Sequence, residues 1–214
     1  MGENEPDSSE PRIKIRIESL SDLIFGLALS IGSLTLIGKG IPSGGYDLFV
    51  NILLFAFSFL IIVMTWLGYS RTISLLRIET QSALFLNLVL LFCVAIEPYL
   101  FYVLVSSQSV SLAYYSSMAY GVDVGGLFII LASLAHLLLK EERIRATNDQ
   151  RRIHHVILAR FKRAMNAQYI IGGIFIVSSL PIFWIPTPIG YLRFVLWYSS
   201  FGFLLVFRPR RKTT

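Results

Sequence analysis

Charge is scarce in this chain. Only 15% of its 214 residues are Asp, Glu, Lys or Arg, while 55% are hydrophobic, and mean hydropathy is +0.66. A soluble domain needs a wetter surface than that, so the composition points to a protein embedded in lipid. Cysteine is almost missing. The single Cys93 lies in an apolar run, which excludes an intramolecular disulfide and a cysteine-based metal site and leaves the redox compartment open. There is no HExxH, no GxSxG and no cluster of His with Asp, so an enzyme is not expected, and neither is a cofactor. The opening residues, MGENEPDSSEPRIKIR, run from acidic to basic without a short apolar core; they read as a polar tail rather than a cleaved signal peptide.

Long apolar stretches are what the chain does have. A membrane-crossing helix needs about 20 apolar residues, and six segments qualify: 19–41, 48–70, 82–105, 112–139, 167–185 and 189–207. The expected fold is an all-α membrane protein, a six-transmembrane-helix bundle. Residues 1–18 form an N-terminal tail, 19–207 the membrane domain and 208–214 a basic tail. The fourth segment is long and carries Gly125-Gly126 in its middle, which suggests that it tilts, kinks or projects beyond the bilayer. The polar connection 140–166 repeats Ile153, Ile157 and Phe161 every four residues between basic ones, which suggests an amphipathic helix at the membrane interface.

All but two of the 19 Lys and Arg fall on one side of these spans, Lys39 and Arg193 being the exceptions. The positive-inside rule then puts both termini in the cytoplasm, as a multi-pass protein of the cell membrane. The sequence pI of 9.6 reflects that bias and an affinity for anionic lipid. Nucleic acid is not an expected partner, because the basic residues are scattered over four separate segments. Adjacent His154 and His155 point about 100° apart on a helix and lack further ligands, so a solvated pair is expected rather than a metal site or pH sensor.

The first span, ESLSDLIFGLALSIGSLTLIGKG, places Leu20, Leu23 or Ile24, Leu27, Ser30 or Ile31, and Leu34 on one helical face. Beside it run the small residues Gly26, Ser30, Gly32 and Ser33, which would admit a close neighbour. Two readings stay open on periodicity alone: the stripe faces lipid or core, or several copies of it surround an axis as stacked apolar rings that gate by dewetting. Asp22 is costly in lipid and wants a partner. Arg16 lies about 240° around the helix from it, so the candidates at its depth are the donors Trp66, Tyr69 and Asn87 of the next two spans.

These residues carry a likeness. RIESLSD resembles the R-x-x-x-F-S-D signature that opens the first helix in the transmembrane protein 175 family of potassium channels, with Leu20 in place of the phenylalanine. Trp66 and the N-L…L-F…E-P-Y run from Asn87 to Tyr99 resemble that family's second and third helices, with Tyr69 where histidine is common. The resemblance implies a single six-span repeat of prokaryotic type, assembled as a homotetramer with helix one lining a central pore. It implies a narrowest layer at Leu27, a hydroxyl layer at Ser30 that tunes selectivity, further apolar layers at Ile31 and Leu34, and a structural network of Arg16, Ser21, Asp22, Trp66 and Asn87. Potassium is the implied permeant ion, preferred modestly over sodium because it holds its water less tightly. No TVGYG filter sequence is present.

The competing reading is a proton- or cation-coupled secondary transporter that uses the membrane acids Glu97 and Asp123. The paired broken helices typical of such transporters are missing, and a structural role for Glu97, bonded to a backbone donor or lining an outer vestibule, is the simpler expectation.

Overall fold

The structure, a computed structural model, describes residues 9–38, 40–75, 80–107, 109–145, 151–180, 183, 192, 195–200 and 202. Five long helices account for most of them: α1 (Ser9–Gly38), α2 (Gly45–Ile73), α3 (Gln81–Ser106), α4 (Val110–Arg145) and α5 (Arg151–Ser178). Lipid explains the uniformity, since a backbone that leaves water must satisfy its own N–H and C=O groups. The breaks between helices fall where the sequence supplies turn chemistry. Gly40, at φ +76, takes a left-handed conformation after α1 that residues with a side chain rarely adopt. Thr80 caps α3 by accepting a hydrogen bond from the Ala83 N–H.

Among the described residues, four helices are long and apolar enough to cross a membrane: Lys14–Leu36, Gly45–Ile73, Gln81–Ser106 and Val110–Lys140. The expected fifth segment begins in the second half of α5. Most of the expected sixth, with Arg193, lies outside the described residues, as do Lys39, Arg77 and the basic tail 208–214. Residues 195–200 are helical, and Trp197 from that stretch enters the core, where its indole N–H donates to Ser178 Oγ at 2.7 Å.

α4 is the hub, packed against α3, α5 and α2, while α1 lies on α3 and α2. Apolar side chains gather mainly in two clusters. One joins Phe25, Tyr69, Leu90 and Leu131 from α1 to α4, at the end where α1 begins; the other, towards the far end, joins Phe57, Phe101, Tyr120, Phe175 and Trp197.

Lipid tails are as apolar as leucine, so helices in a membrane associate through close packing more than through burial from water. α4 and α5 achieve this with glycines. The Gly125 backbone oxygen lies 2.9 Å from where a Cβ on Gly172 would sit, and a Cβ on Gly125 would meet the Ile176 side chain at 2.8 Å. α4 runs unbroken for 36 residues from Val110 to Arg145, and Gly125 serves the contact with α5. Residues 151–166 differ from the sequence expectation. They are the start of α5 rather than a separate interfacial helix, and Phe161 packs against the first apolar cluster. The side chains of His154 and His155 lie outside what the structure describes.

Gly125→Ala is expected to lower the melting temperature, by an overpacking cost of about 1–3 kcal/mol. Gly126→Ala, where an added Cβ meets nothing within 4 Å, should leave it unchanged or raise it slightly. Equal melting temperatures for the two variants in thermal unfolding would contradict the close contact.

Candidate pore helix and its anchoring network

α1 meets its own bundle along a narrow arc. Ser21, Phe25, Ala28 and Gly32, spaced four, three and four residues apart, are buried, and a Cβ on Gly32 would touch the Phe55 ring at 3.9 Å. Gly32 therefore belongs to the bundle side, whereas a Cβ on Gly26 would meet nothing within 4 Å. The face opposite is open. Leu23, Leu27, Ile31 and Leu34 are 68%, 57%, 39% and 58% exposed, and Leu20 is exposed with them. Ser30 shares this outward side, and its hydroxyl donates to the Gly26 carbonyl at 2.9 Å. With its proton committed to the helix backbone, the Ser30 oxygen has lone pairs left to accept.

Two side chains of α2 hold this helix at adjacent positions. Trp66 donates its indole N–H to Asp22 Oδ1 at 2.9 Å. Three residues on, and so on the same side of α2, Tyr69 is buried and its hydroxyl lies 2.6 Å from Ser21 Oγ. Ser21 already donates to the Ile17 carbonyl at 2.7 Å, so the phenol supplies the proton between them. The Phe25 ring rests against Tyr69 with centroids 5.6 Å apart. Asn87, buried in α3, reaches the Tyr69 hydroxyl rather than Asp22, and its Oδ1 has no partner among the described residues.

Arg16 stands apart. It is exposed and forms no ion pair among the described residues. Its neighbour Lys14 does the tying instead, donating to the Ser74 carbonyl at 2.8 Å just past the end of α2. Lys14 and the Ser21–Tyr69 bond were missed from sequence. A lysine on a basic tail looks like any other, and the tyrosine gave only one signal, its position three residues after Trp66.

The two membrane acids occupy another place. Glu97 is fully buried, with Ser58 Oγ of α2 at 2.9 Å from Oε1 and 3.1 Å from Oε2, and the Tyr120 hydroxyl of α4 donating to Oε1 at 3.1 Å. Side-chain hydroxyls, not a backbone donor or a vestibule, surround it. Asp123 is buried one turn along α4 with Cys93 beside it, and its Oδ2 has no partner among the described residues. No group of three or more His, Cys, Asp or Glu is arranged to hold a metal among the described residues.

Residues 16–98, from the signature arginine on α1 to the proline within α3, match the family model described as "Endosomal/lysosomal potassium channel TMEM175". Over residues 16–98 the chain is similar to the TMEM175 family. No curated protein matches it in sequence. A solved structure is similar in fold, the crystal structure of a lysosomal potassium-selective channel TMEM175 homolog from Chamaesiphon Minutus. The two chains share 17% identity with a TM-score of 0.62, over 92% of this chain and 100% of the other. Both descriptions are of channels and neither is of an enzyme, which does not favour the coupled-transporter reading of Glu97 and Asp123. Beyond residue 98 the TMEM175 likeness of this chain is one of fold.

A buried hydroxyl pair contributes about 1 kcal/mol when both partners are present. A double-mutant cycle of Ser21→Ala and Tyr69→Phe, read by thermal unfolding, is expected to show a coupling of about that size. Strictly additive losses would mean that the bond does not hold α1 to α2.

Proposed function

We propose that this chain is a potassium-selective ion channel of modest selectivity over sodium, formed by a homotetramer in which α1 lines a central pore. The observation that carries this reading is the poor burial of α1. Of the most apolar part of the first span 22% is buried, against 56% for the fourth, and the residues left open form one continuous apolar stripe. The interior of the protomer is filled by its apolar clusters. An ion path then belongs between copies, and α1 is the helix with most surface to offer there.

In that arrangement Leu27 forms the narrowest ring, with Ile31 and Leu34 as further apolar layers. An ion passing a ring of leucines finds no oxygen ligands, so passage depends on how readily it keeps or sheds water; potassium holds water less tightly than sodium and passes more easily. Ser30, whose oxygen retains free lone pairs, offers a ligand directly beyond the ring and favours the ion that sheds water sooner. Asp22 and Trp66 hold the helix in azimuth and do not contact the ion, with Ser21 and Asn87 completing the anchored end. The basic end faces the cytoplasm with both termini, in the cell membrane.

The test is potassium-driven flux through purified protein in liposomes, with the mass of the detergent complex measured alongside. Leu27→Ala and Leu27→Asn should raise conductance and admit sodium more readily; unchanged current and ion ratio would move the constriction elsewhere. Ser30→Ala should weaken the preference for potassium while leaving assembly intact, and an unaltered ratio would remove Ser30 from selectivity.

A further inference from the structure

The outward side of α5 changes chemistry along its length. By helical register, positions 159, 162, 163 and 166 fall within about 100° of one another, and they are Ala, Lys, Arg and Asn. Ala159, Lys162, Arg163 and Asn166 are exposed. The same arc continues through Tyr169, Ile170 and Val177, which are exposed and, apart from the tyrosine, wholly apolar. The opposite arc is occupied: Phe161 and Met165 pack into the bundle, and Gly172 lies against α4. α5 holds no Asp or Glu, and its first two residues, Arg151 and Arg152, stand at the end where the helix dipole disfavours positive charge. The acids nearest before it in the chain are Glu141, Glu142 and Asp149.

We propose that this basic face of α5 binds the phosphate headgroups of anionic lipids in the leaflet at the basic end of the bundle. Phe161 and Met165 pack into the bundle, so this segment does not lie flat with its greasy face in the membrane. It stands up from the membrane, and its outward side is a basic stripe directly continuous with a lipid-facing one. Tyr169 marks the join, a residue type that favours the boundary between acyl chains and headgroups. A lipid whose tails lie along Ile170 and Val177 therefore brings its phosphate to Lys162 and Arg163. That continuity favours a lipid over a soluble acidic partner, which would gain nothing from the apolar half of the stripe. Arginine adds paired hydrogen bonds to a phosphate where lysine adds a point charge.

The experiment uses the full chain, purified in detergent, with lipid binding followed by native mass spectrometry during titration with phosphatidylglycerol or phosphatidylcholine. The parent should prefer phosphatidylglycerol. Each basic residue near an anionic surface contributes about fivefold, so K162Q/R163Q should weaken phosphatidylglycerol binding roughly 25-fold at low salt and leave phosphatidylcholine binding unchanged. Lys162→Gln alone should weaken it about fivefold, which keeps the test readable if the double variant assembles poorly. R210Q/R211Q removes the same charge from the tail and should bind like the parent. Unchanged binding by the α5 variants, or an equal loss in the tail variant, would overturn the proposal. So would a parent that binds a polyglutamate peptide or a short oligonucleotide more tightly than phosphatidylglycerol, which would assign the face to a soluble partner.

Discussion

Everything outward about α1 depends on the narrow arc by which it is held inward. Four buried positions, Ser21, Phe25, Ala28 and Gly32, set the azimuth of the helix, and the Trp66–Asp22 and Tyr69–Ser21 contacts fasten it at one end. In lipid there is little burial from water to drive such an attachment, so hydrogen bonds and close packing carry more of the specificity than they would in a soluble core. A rotation of α1 by one residue position, about 100°, would break both contacts and turn Leu27 towards its own bundle. The hydroxyl and indole contacts thereby connect a structural bond to the exposure of the apolar stripe.

The bundle divides its labour between its helices. α4 and α5 lock through Gly121, Gly125 and Gly172, and α4 also carries the residues that join both apolar clusters. α1 shares only a minority of its surface with this unit. Its open apolar stripe suits the pore-lining role proposed for it. Glu97 belongs to the rest of the bundle, where Ser58 and Tyr120 join α2 and α4 through its carboxyl group. Its placement next to Pro98 within an unbroken α3 makes it a junction between three helices.

The first four spans were legible because hydropathy is the dominant signal in lipid, and Asp22 and Trp66 stood out because polar groups are rare at that depth. Span ends alone bring Trp66 and Asn87 near Asp22, yet they do not decide which donor meets which oxygen. That depends on helix azimuth, and it sends Asn87 to Tyr69 and leaves Arg16 exposed. A glycine pair looks the same in sequence in a kink as in a close contact, so the spacing of Gly125-Gly126 does not tell that Gly125 alone meets α5. The 153–157–161 repeat was read as an interfacial helix because periodicity shows that a face is apolar without showing what covers it, and here Phe161 meets the helical core. Ser58 lies 39 residues from Glu97, a distance at which sequence spacing carries no information about contact.

The central claim is that the Leu27 face of α1 looks onto a shared ion path and not onto lipid. Silver ions bind thiolates and enter only where water does, so they distinguish the two. In a Cys93→Ala background, potassium flux through Leu27→Cys protein should be blocked by silver, while Phe85→Cys, on the outward face of α3, should conduct unchanged. Silver-insensitive flux in Leu27→Cys together with block in Phe85→Cys would contradict the account and put the path along another helix.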